Sequence, residues 1–119
     1  MRIMVPLVFA LAWHAGAQAQ EVTIYGIGGK PCAEYLADRA KGQNSSDSVA
    51  AAQYSDWAYG YLTGYNSSAS QKQIRAFFPR GTVIAYIDKY CREKPRDLVV
   101  GAIDCLIANY VGPDYPNCK

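Results

Sequence analysis

Two stretches of regularly spaced apolar residues predict a helical hairpin over residues 81–110. In each stretch the apolar positions recur at intervals of three and four, which lines one side of an α-helix. The first stripe contains Val83, Ile84, Ile87, Tyr90 and Cys91, and the second contains Val99, Ala102, Ile103, Leu106 and Tyr110. Pro95 separates the two helices, because proline disfavours helix at Lys94 and suits the first turn of a new helix.

Two more helices are predicted upstream of the hairpin. One begins at Pro31 and runs to about residue 41, and one of its sides carries Cys32, Tyr35, Leu36 and Arg39. The other covers residues 49–65, capped by Ser46 or Asp47, and its core side is predicted to be Ala50, Tyr54, Trp57, Tyr61 and Tyr65. Gly60 and Gly64 each cost this helix about 1 kcal/mol relative to alanine, which indicates that another backbone passes close to them.

The remaining segments predict connections. Apolar and polar residues alternate only in part over residues 21–27, which predicts an extended amino-terminal arm that lies across the helices. This arm could pair with a second copy of the chain in a homodimer. The glycines at 26, 28 and 29 predict a flexible link; a phosphate loop would need a preceding buried strand and a following lysine. Residues 66–80 form a long connection with a polar tip, and a short helix is expected at 71–77. Gly112-Pro113 should end the last helix.

The first nineteen residues have the features of a secretory signal peptide. Arg2 precedes an apolar run over residues 4–13, and small residues ending in Ala17-Gln18-Ala19 predict cleavage before Gln20. The run is roughly half the length of about 20 residues that a membrane-spanning helix needs. We therefore expect residues 20–119 to form a single helical domain, periplasmic or secreted, without stable insertion in the membrane.

The cysteines predict two disulfides in this small domain. Residues 20–119 are enough for one modest hydrophobic core, and all four cysteines (Cys32, Cys91, Cys105 and Cys118) lie within it. An even number of cysteines in an exported chain is typical of disulfide bonding. A metal site is not expected, because no C-x-x-C occurs and the only histidine, His14, lies in the leader.

Helix geometry disfavours one of the three disulfide pairings. Cys91 lies about 6 Å before the corner at Pro95 and Cys105 about 15 Å beyond it, so the two are not level in an antiparallel hairpin. A disulfide requires Cα atoms roughly 4.4 to 6.8 Å apart. We prefer Cys32 with Cys91 and Cys105 with Cys118, while Cys32 with Cys105 and Cys91 with Cys118 stays open.

The residue inventory favours binding over catalysis. Without His14 the domain has no histidine, which excludes Ser-His-Asp and Cys-His nucleophiles and most zinc catalysis. Glu34 and Asp38 are one turn apart and could form an acid–base pair of a hydrolase, but the preferred interpretation is a solvated helix face. Asp88 and Arg92 are predicted to form an i,i+4 ion pair. We expect neither enzymatic activity nor a cofactor.

Charge and aromatic content bear on the kind of partner. The net charge of +2, or +1 without Arg2, is too small to indicate nucleic acid. Ten tyrosines suit protein interfaces as well as core edges. The residues predicted to contact a protein partner flank the long connection: Tyr59, Asn66, Ser67, Phe77 and Phe78.

Two segments of the chain are similar to small bacterial periplasmic proteins of two kinds. They are Trp57-Ala-Tyr-Gly-Tyr-Leu-Thr-Gly-Tyr-Asn66 and Tyr86-Ile-Asp-Lys-Tyr-Cys-Arg-Glu-Lys-Pro95. One kind is the HdeA/HdeB-like acid-stress chaperones. The other is the Rap1a/Tai-type immunity proteins, whose G-Y-I/L-x-G pattern, proline corner, alanine-bearing helix and late P-x-C resemble residues 60–64, Pro95, Ala102 and Pro116-Asn-Cys118.

The resemblance implies an exported all-α domain with a disulfide that ties the first helix to the end of the third. Immunity proteins block a toxin's cleft with rigid loops, and the connection at 67–78 would supply that loop here. HdeA-like chaperones instead loosen at low pH and hold unfolded proteins. We expect a protein-binding domain of the immunity type whose partner is a toxin, with an acid-stress holdase for unfolded clients as the alternative.

Overall fold

The computed structural model describes residues 21–69, 72–112 and 118, and four α-helices build the fold of this part of the chain. They are α1 (Cys32–Lys41), α2 (Val49–Ser68), α3 (Arg80–Glu93) and α4 (Val99–Val111), preceded by one 3₁₀ turn at Ile27–Gly29. The predicted all-α, four-helix architecture is confirmed. None of the described helices is both long and apolar enough to span a bilayer. The predicted signal peptide and its cleavage site lie outside the described residues.

The corner between α3 and α4 also closes the start of α1. The turn at residues 94–98 delays α4 until Val99, so the prediction that Pro95 opens this helix is wrong. Its carbonyls are used instead by α1: the amide of Cys32 donates to Asp97 O at 2.7 Å and the amide of Ala33 to Pro95 O at 3.0 Å. Amides at a helix start have no intrahelical acceptor, so this contact fixes α1 against the hairpin.

The other helix ends have local causes. Ser48, not Ser46 or Asp47, caps α2, because its hydroxyl accepts from the amide of Ala51 at 3.2 Å. The amide of Asp47 instead donates to the Ser45 hydroxyl at 3.1 Å, which holds it in the preceding turn. Gly112 ends α4 as predicted, with a φ of 120° that an L side chain rarely adopts.

The hairpin supplies most of the core. Every residue of the predicted α3 stripe is buried, and so is the α4 stripe as far as Leu106. Tyr110 is the exception: it is 54% exposed, and the prediction that it faces the core is wrong. Its ring meets Phe78 edge-on, with the centroids 5.0 Å apart, at the margin of the core.

Helix α2 turns a different face to the core from the one predicted. Its buried residues are Ala51, Tyr54, Ser55, Ala58 and Leu62, so Tyr54 alone is shared with the predicted aromatic side. Trp57, Tyr61 and Tyr65 lie half-buried beside the core. The close backbone approach predicted at Gly60 and Gly64 is wrong, because a Cβ at either position would meet no atom within 4 Å.

Two disulfides join the elements in the preferred pairing. Cys32 bonds Cys91 with Cα atoms 4.8 Å apart, and Cys105 bonds Cys118 with Cα atoms 5.1 Å apart. The first ties the start of α1 to the end of α3 and is fully buried. The second returns Cys118 to α4. The prediction of two disulfides in this pairing is confirmed.

The amino-terminal segment runs along α2. Residues 21–25 have no regular structure, and the indole Nε1 of Trp57 donates to Tyr25 O at 2.9 Å. Gly28 follows, buried against the same indole, where any Cβ would overlap the ring. The glycines predicted as a flexible link therefore include one that permits close packing.

Candidate functional site

Residues 72–79 form a non-helical segment that is hydrogen-bonded to α2. The side chain of Asn66 binds Ile74 twice: its amide donates to Ile74 O at 2.9 Å, and its oxygen accepts from the Ile74 amide at 2.8 Å. These bonds use backbone groups that a helix would need for itself. The short helix predicted at 71–77 is therefore wrong for the described residues from 72 onward.

Three further hydrogen bonds hold the segment along its length. The hydroxyl of Tyr65 donates to Lys72 O at 3.1 Å, and the side-chain amide of Gln73 donates to Asn66 O at 3.1 Å. At the far end the hydroxyl of Tyr59 donates to Phe78 O at 2.7 Å. The segment is thus bonded to α2 at residues 72, 73 and 74 and again at residue 78.

Two side chains of the segment are buried. Ile74 and Phe78 are each 7% exposed and belong to the core cluster. Phe77, between them, is 84% exposed, the highest value among the large exposed apolar side chains of the described residues. Beside it lies a shallow cleft of about 200 Å³, lined mainly by Tyr59, Leu62, Asn66, Ile74, Phe77 and Phe78.

The structure places the five predicted contact residues in one region but in different environments. Phe77 and Ser67 are exposed, and the Ser67 hydroxyl donates to Thr63 O at 2.9 Å. Tyr59 and Asn66 are half-buried, and their side-chain polar groups form hydrogen bonds to the segment. Phe78 anchors the segment in the core. No pattern in the sequence distinguishes the two adjacent phenylalanines.

The carboxylates of Glu34 and Asp38 lie in a network of donors. The Lys30 ammonium bridges them, 2.8 Å from Glu34 and 3.3 Å from Asp38. The hydroxyl of Tyr54 donates to Asp38 at 2.7 Å. This hydrogen bond from Tyr54, with help from Lys41 and Lys30, outweighs the effect of burial and lowers the pKa of Asp38. Such an arrangement suits a structural network better than a proton donor.

A second network, missed from the sequence, joins α1 to α3. Asp88 accepts from Arg39 at 3.0 and 3.1 Å and from the Tyr35 hydroxyl at 2.6 Å. Arg39 has a side chain only 3% exposed. Burial acts to raise the pKa of Asp88, but the hydrogen bonds from Arg39 and Tyr35 and the charges of Arg39 and Arg92 outweigh it and lower that pKa.

The predicted pairing of Asp88 with Arg92 is therefore corrected. The direct partners of the Asp88 carboxylate come from α1, and Arg92 adds only a favourable charge to it. Arg39 is further held by the carbonyls of Ser45 and Asn44, at 2.6 and 2.9 Å. A buried arginine gains all its hydrogen bonds only where the turn after α1 and the side of α3 meet. The position of Arg39 on the apolar side of α1 was the one feature of the sequence that could have indicated a buried ion pair.

A third carboxylate, that of Asp104, has a raised pKa, in contrast to Asp38 and Asp88. Burial raises the pKa of Asp104, and the hydrogen bond from the Tyr61 hydroxyl, 2.7 Å long, reduces this effect without cancelling it.

Among the described residues no cluster of three His, Cys, Asp or Glu has the geometry to hold a metal ion. No known protein family, curated protein or solved structure matches this chain.

Proposed function

We propose that this chain is an exported, non-enzymatic domain that binds another protein through residues 72–78, in the manner of an immunity protein that blocks a toxin. The observation that supports this most is the placement of Phe77. It is 84% exposed between two buried anchors, on a segment with five hydrogen bonds to α2. Aromatic side chains are enriched in protein interfaces, where a few residues supply most of the binding free energy.

The fixed backbone favours tight binding. Ordering a loop on association costs free energy, and a loop that is ordered beforehand avoids most of that cost. The buried disulfide between Cys32 and Cys91 and the second bond at Cys105 restrain the helices that carry the segment. This rigidity suits a domain that enters a partner's cleft more than one that reshapes itself around many partners.

The proposed compartment is the periplasm or the medium outside the cell. Two disulfides fit an oxidising environment, since thiols in the cytosol are kept reduced. The leader-like residues 1–19 support the same proposal from the sequence.

Substitution of Phe77 tests this proposed function. The wild-type domain and Phe77→Ala are immobilised and exposed to envelope extract of the host, and bound proteins are identified and remixed with each variant. We expect one stoichiometric partner whose affinity falls about 30-fold in Phe77→Ala, the effect of losing an interface centre worth about 2 kcal/mol.

Tyr25→Ala is the matched control, because Tyr25 is 83% exposed and lies in the amino-terminal segment. It should retain the partner. Equal loss in both variants, or a partner bound equally by Phe77→Ala and wild type, would contradict the proposal.

An acid-stress holdase is the second candidate, and the Arg39–Asp88 pair favours it. Acid protonates Asp88 and removes the charge that holds the buried Arg39, which would loosen α1. Light scattering of an aggregating client at about pH 2 to 3 and at pH 7 distinguishes the two functions, since only a holdase suppresses the scattering in acid.

A further inference from the structure

One long stretch of the chain carries positive charge and no negative charge. Residues 57–87 contain no Asp or Glu but carry Lys72, Arg75 and Arg80. The whole chain has twelve Lys and Arg against ten Asp and Glu, so the remainder has nine against ten and is slightly acidic. The stretch that carries Phe77 therefore has three cationic residues and no acidic residue to neutralise them.

These three cations are exposed, and each lies within five residues of Phe77 along the chain. Lys72 and Arg75 are exposed on the same hydrogen-bonded segment, and Arg80 begins α3 directly after it. The facing half of α2, residues 57–68, contributes no charge at all. Asp56 reaches Arg80 only at 3.7 Å with both side chains largely exposed, so this contact neutralises little of the field.

We infer that the partner of this domain presents an apolar pocket for Phe77 whose rim carries carboxylates that meet Lys72 and Arg75. This inference rests on the proposed function and adds the chemistry of the partner. Complementary rim charges steer association and exclude wrong partners, while the desolvated aromatic centre supplies most of the affinity. An arginine and a lysine on a fixed backbone can be matched by carboxylates at fixed positions.

A membrane surface fits these observations less well. Each cation near an anionic membrane contributes only about 1 kcal/mol, and stable membrane anchoring by cations uses clusters of four to eight of them, roughly twice the number here. A lipid surface is fluid and gains nothing from a backbone fixed by five hydrogen bonds. Shape-specific recognition of another protein uses both features.

A random peptide library displayed on phage tests this chemistry without the natural partner. The full domain is immobilised, and selected peptides are synthesised and titrated against wild type, Phe77→Ala, Lys72→Glu and Arg75→Glu. We expect selected peptides to combine apolar or aromatic residues with Asp or Glu. Their affinity should fall about tenfold in Arg75→Glu and in Lys72→Glu, and about 30-fold in Phe77→Ala.

Lys89→Glu is the control for charge alone, because Lys89 is exposed on α3 and the substitution changes the net charge equally. This variant should bind the peptides within about twofold of the wild-type affinity. Added salt should lower the peptide affinity of wild type only slightly more than that of Lys89→Glu. All the substituted side chains are exposed, so unchanged thermal unfolding verifies that each variant is folded.

The outcomes separate this inference from the proposed function. Peptides without an acidic excess, no selected peptides, or affinities insensitive to Lys72→Glu and Arg75→Glu would each overturn the acidic rim, whereas the extract experiment with Phe77→Ala could still succeed. Vesicles of phosphatidylcholine and phosphatidylglycerol serve as the second probe. Binding of these vesicles that depends on Arg75 and Phe77 would assign the surface to lipid and overturn the inference.

Discussion

Phe77 and Phe78 are adjacent phenylalanines with opposite environments. Phe78 is buried and meets the ring of Tyr110, while Phe77 projects into solvent. Asn66 holds the backbone at Ile74 through two hydrogen bonds, and the hydroxyl of Tyr59 donates to Phe78 O. These contacts with α2 accompany the burial of Phe78 and leave Phe77 exposed.

The close contacts at glycines are also decided residue by residue. Gly28 lies against the indole of Trp57 and Gly101 against the hydroxyl of Tyr90, so neither position has room for a Cβ. Gly60 and Gly64 sit in an exposed part of α2 with open space around them. In a helix such glycines lower stability without permitting any contact in return.

Gly28→Ala should destabilise the domain. Its methyl group would overlap the indole ring of Trp57, so the amino-terminal segment must move away and lose the hydrogen bond from Trp57 to Tyr25. We expect a loss of about 1 to 3 kcal/mol in the free energy of unfolding, measured by urea denaturation.

Gly64→Ala is the control for Gly28→Ala. With no atom within 4 Å of the new methyl group, it should raise the free energy of unfolding by up to about 1 kcal/mol, because alanine favours helix. A stabilising Gly28→Ala or a destabilising Gly64→Ala would contradict these assignments.

At the scale of elements, α1 is held to the hairpin by three different interactions. Its first amides donate to carbonyls of the turn at 94–98, Cys32 bonds Cys91, and the Arg39–Asp88 pair fastens its last turn to α3. The first two act at its start and the third at its end. Only the third depends on pH.

Asp88→Asn should lower the free energy of unfolding at pH 7 and reduce its dependence on pH in acid. The folded pKa of Asp88 lies below the ordinary value, so the unfolded chain binds more protons and stability falls as pH decreases from about 4 through the folded pKa. Removing the charge leaves the buried Arg39 without a counterion and should cost about 3 kcal/mol at pH 7. Urea denaturation at several values between pH 2 and 7 measures both effects.

Asp104→Asn is the control for Asp88→Asn, because the pKa of Asp104 is shifted in the opposite direction. The raised pKa of Asp104 means that the folded state favours the protonated form, so its ionisation opposes folding as pH rises. This variant should keep the loss of stability in acid and be at least as stable as wild type at pH 7. If Asp88→Asn retained the full acid loss, the stabilising role of the pair would be refuted.

Helix α2 shows why large aromatic residues did not mark the core side. Its fully buried positions include the small residues Ala51, Ser55 and Ala58, which let neighbouring helices pack closely. Tyr61 and Tyr65 lie at the edge, where their hydroxyls reach Asp104 and Lys72 O. A tyrosine with a polar partner is most stable at such a boundary.

At the scale of the whole molecule, the two disulfides close loops of different length. The Cys32–Cys91 bond spans 59 residues of sequence and the Cys105–Cys118 bond spans 13. A domain of this size has about 5 to 15 kcal/mol of net stability, so either bond can supply a large share of it. The longer loop encloses α2 and residues 72–79, which carry the candidate binding surface.

Removing each disulfide separately should give unequal losses. Paired substitution of Cys32 and Cys91 by Ala should cost about 4 kcal/mol from chain entropy alone, and paired substitution of Cys105 and Cys118 by Ser about 3 kcal/mol. Thermal unfolding followed by circular dichroism measures both losses. The second variant should keep its helical spectrum at 25 °C, whereas equal stability of the first variant and wild type would contradict the assigned role.

The helices and the hairpin could be predicted from the sequence alone, which also gave grounds to prefer one disulfide pairing while a second pairing stayed open. Helix position follows from local spacing of apolar residues and from proline and glycine at the ends, all of which act within a few residues along the chain. Helix rise fixes how far Cys91 and Cys105 lie from the corner, which disfavoured a bond between these two cysteines, and the structure then decided between the two remaining pairings. The apolar side of α1, including Arg39, was visible for the same reason.

The contacts between groups that are far apart in sequence became known only from the folded chain. The partner of Asp88, the core face of α2, the glycine that touches Trp57 and the exposure of Phe77 all depend on elements distant in sequence. Local periodicity places a side chain on a helix face, but the neighbouring elements determine whether that face is covered. The candidate binding surface belongs to this second class, because Asn66 and Tyr59 had to bind residues 72–78 before Phe77 could be singled out.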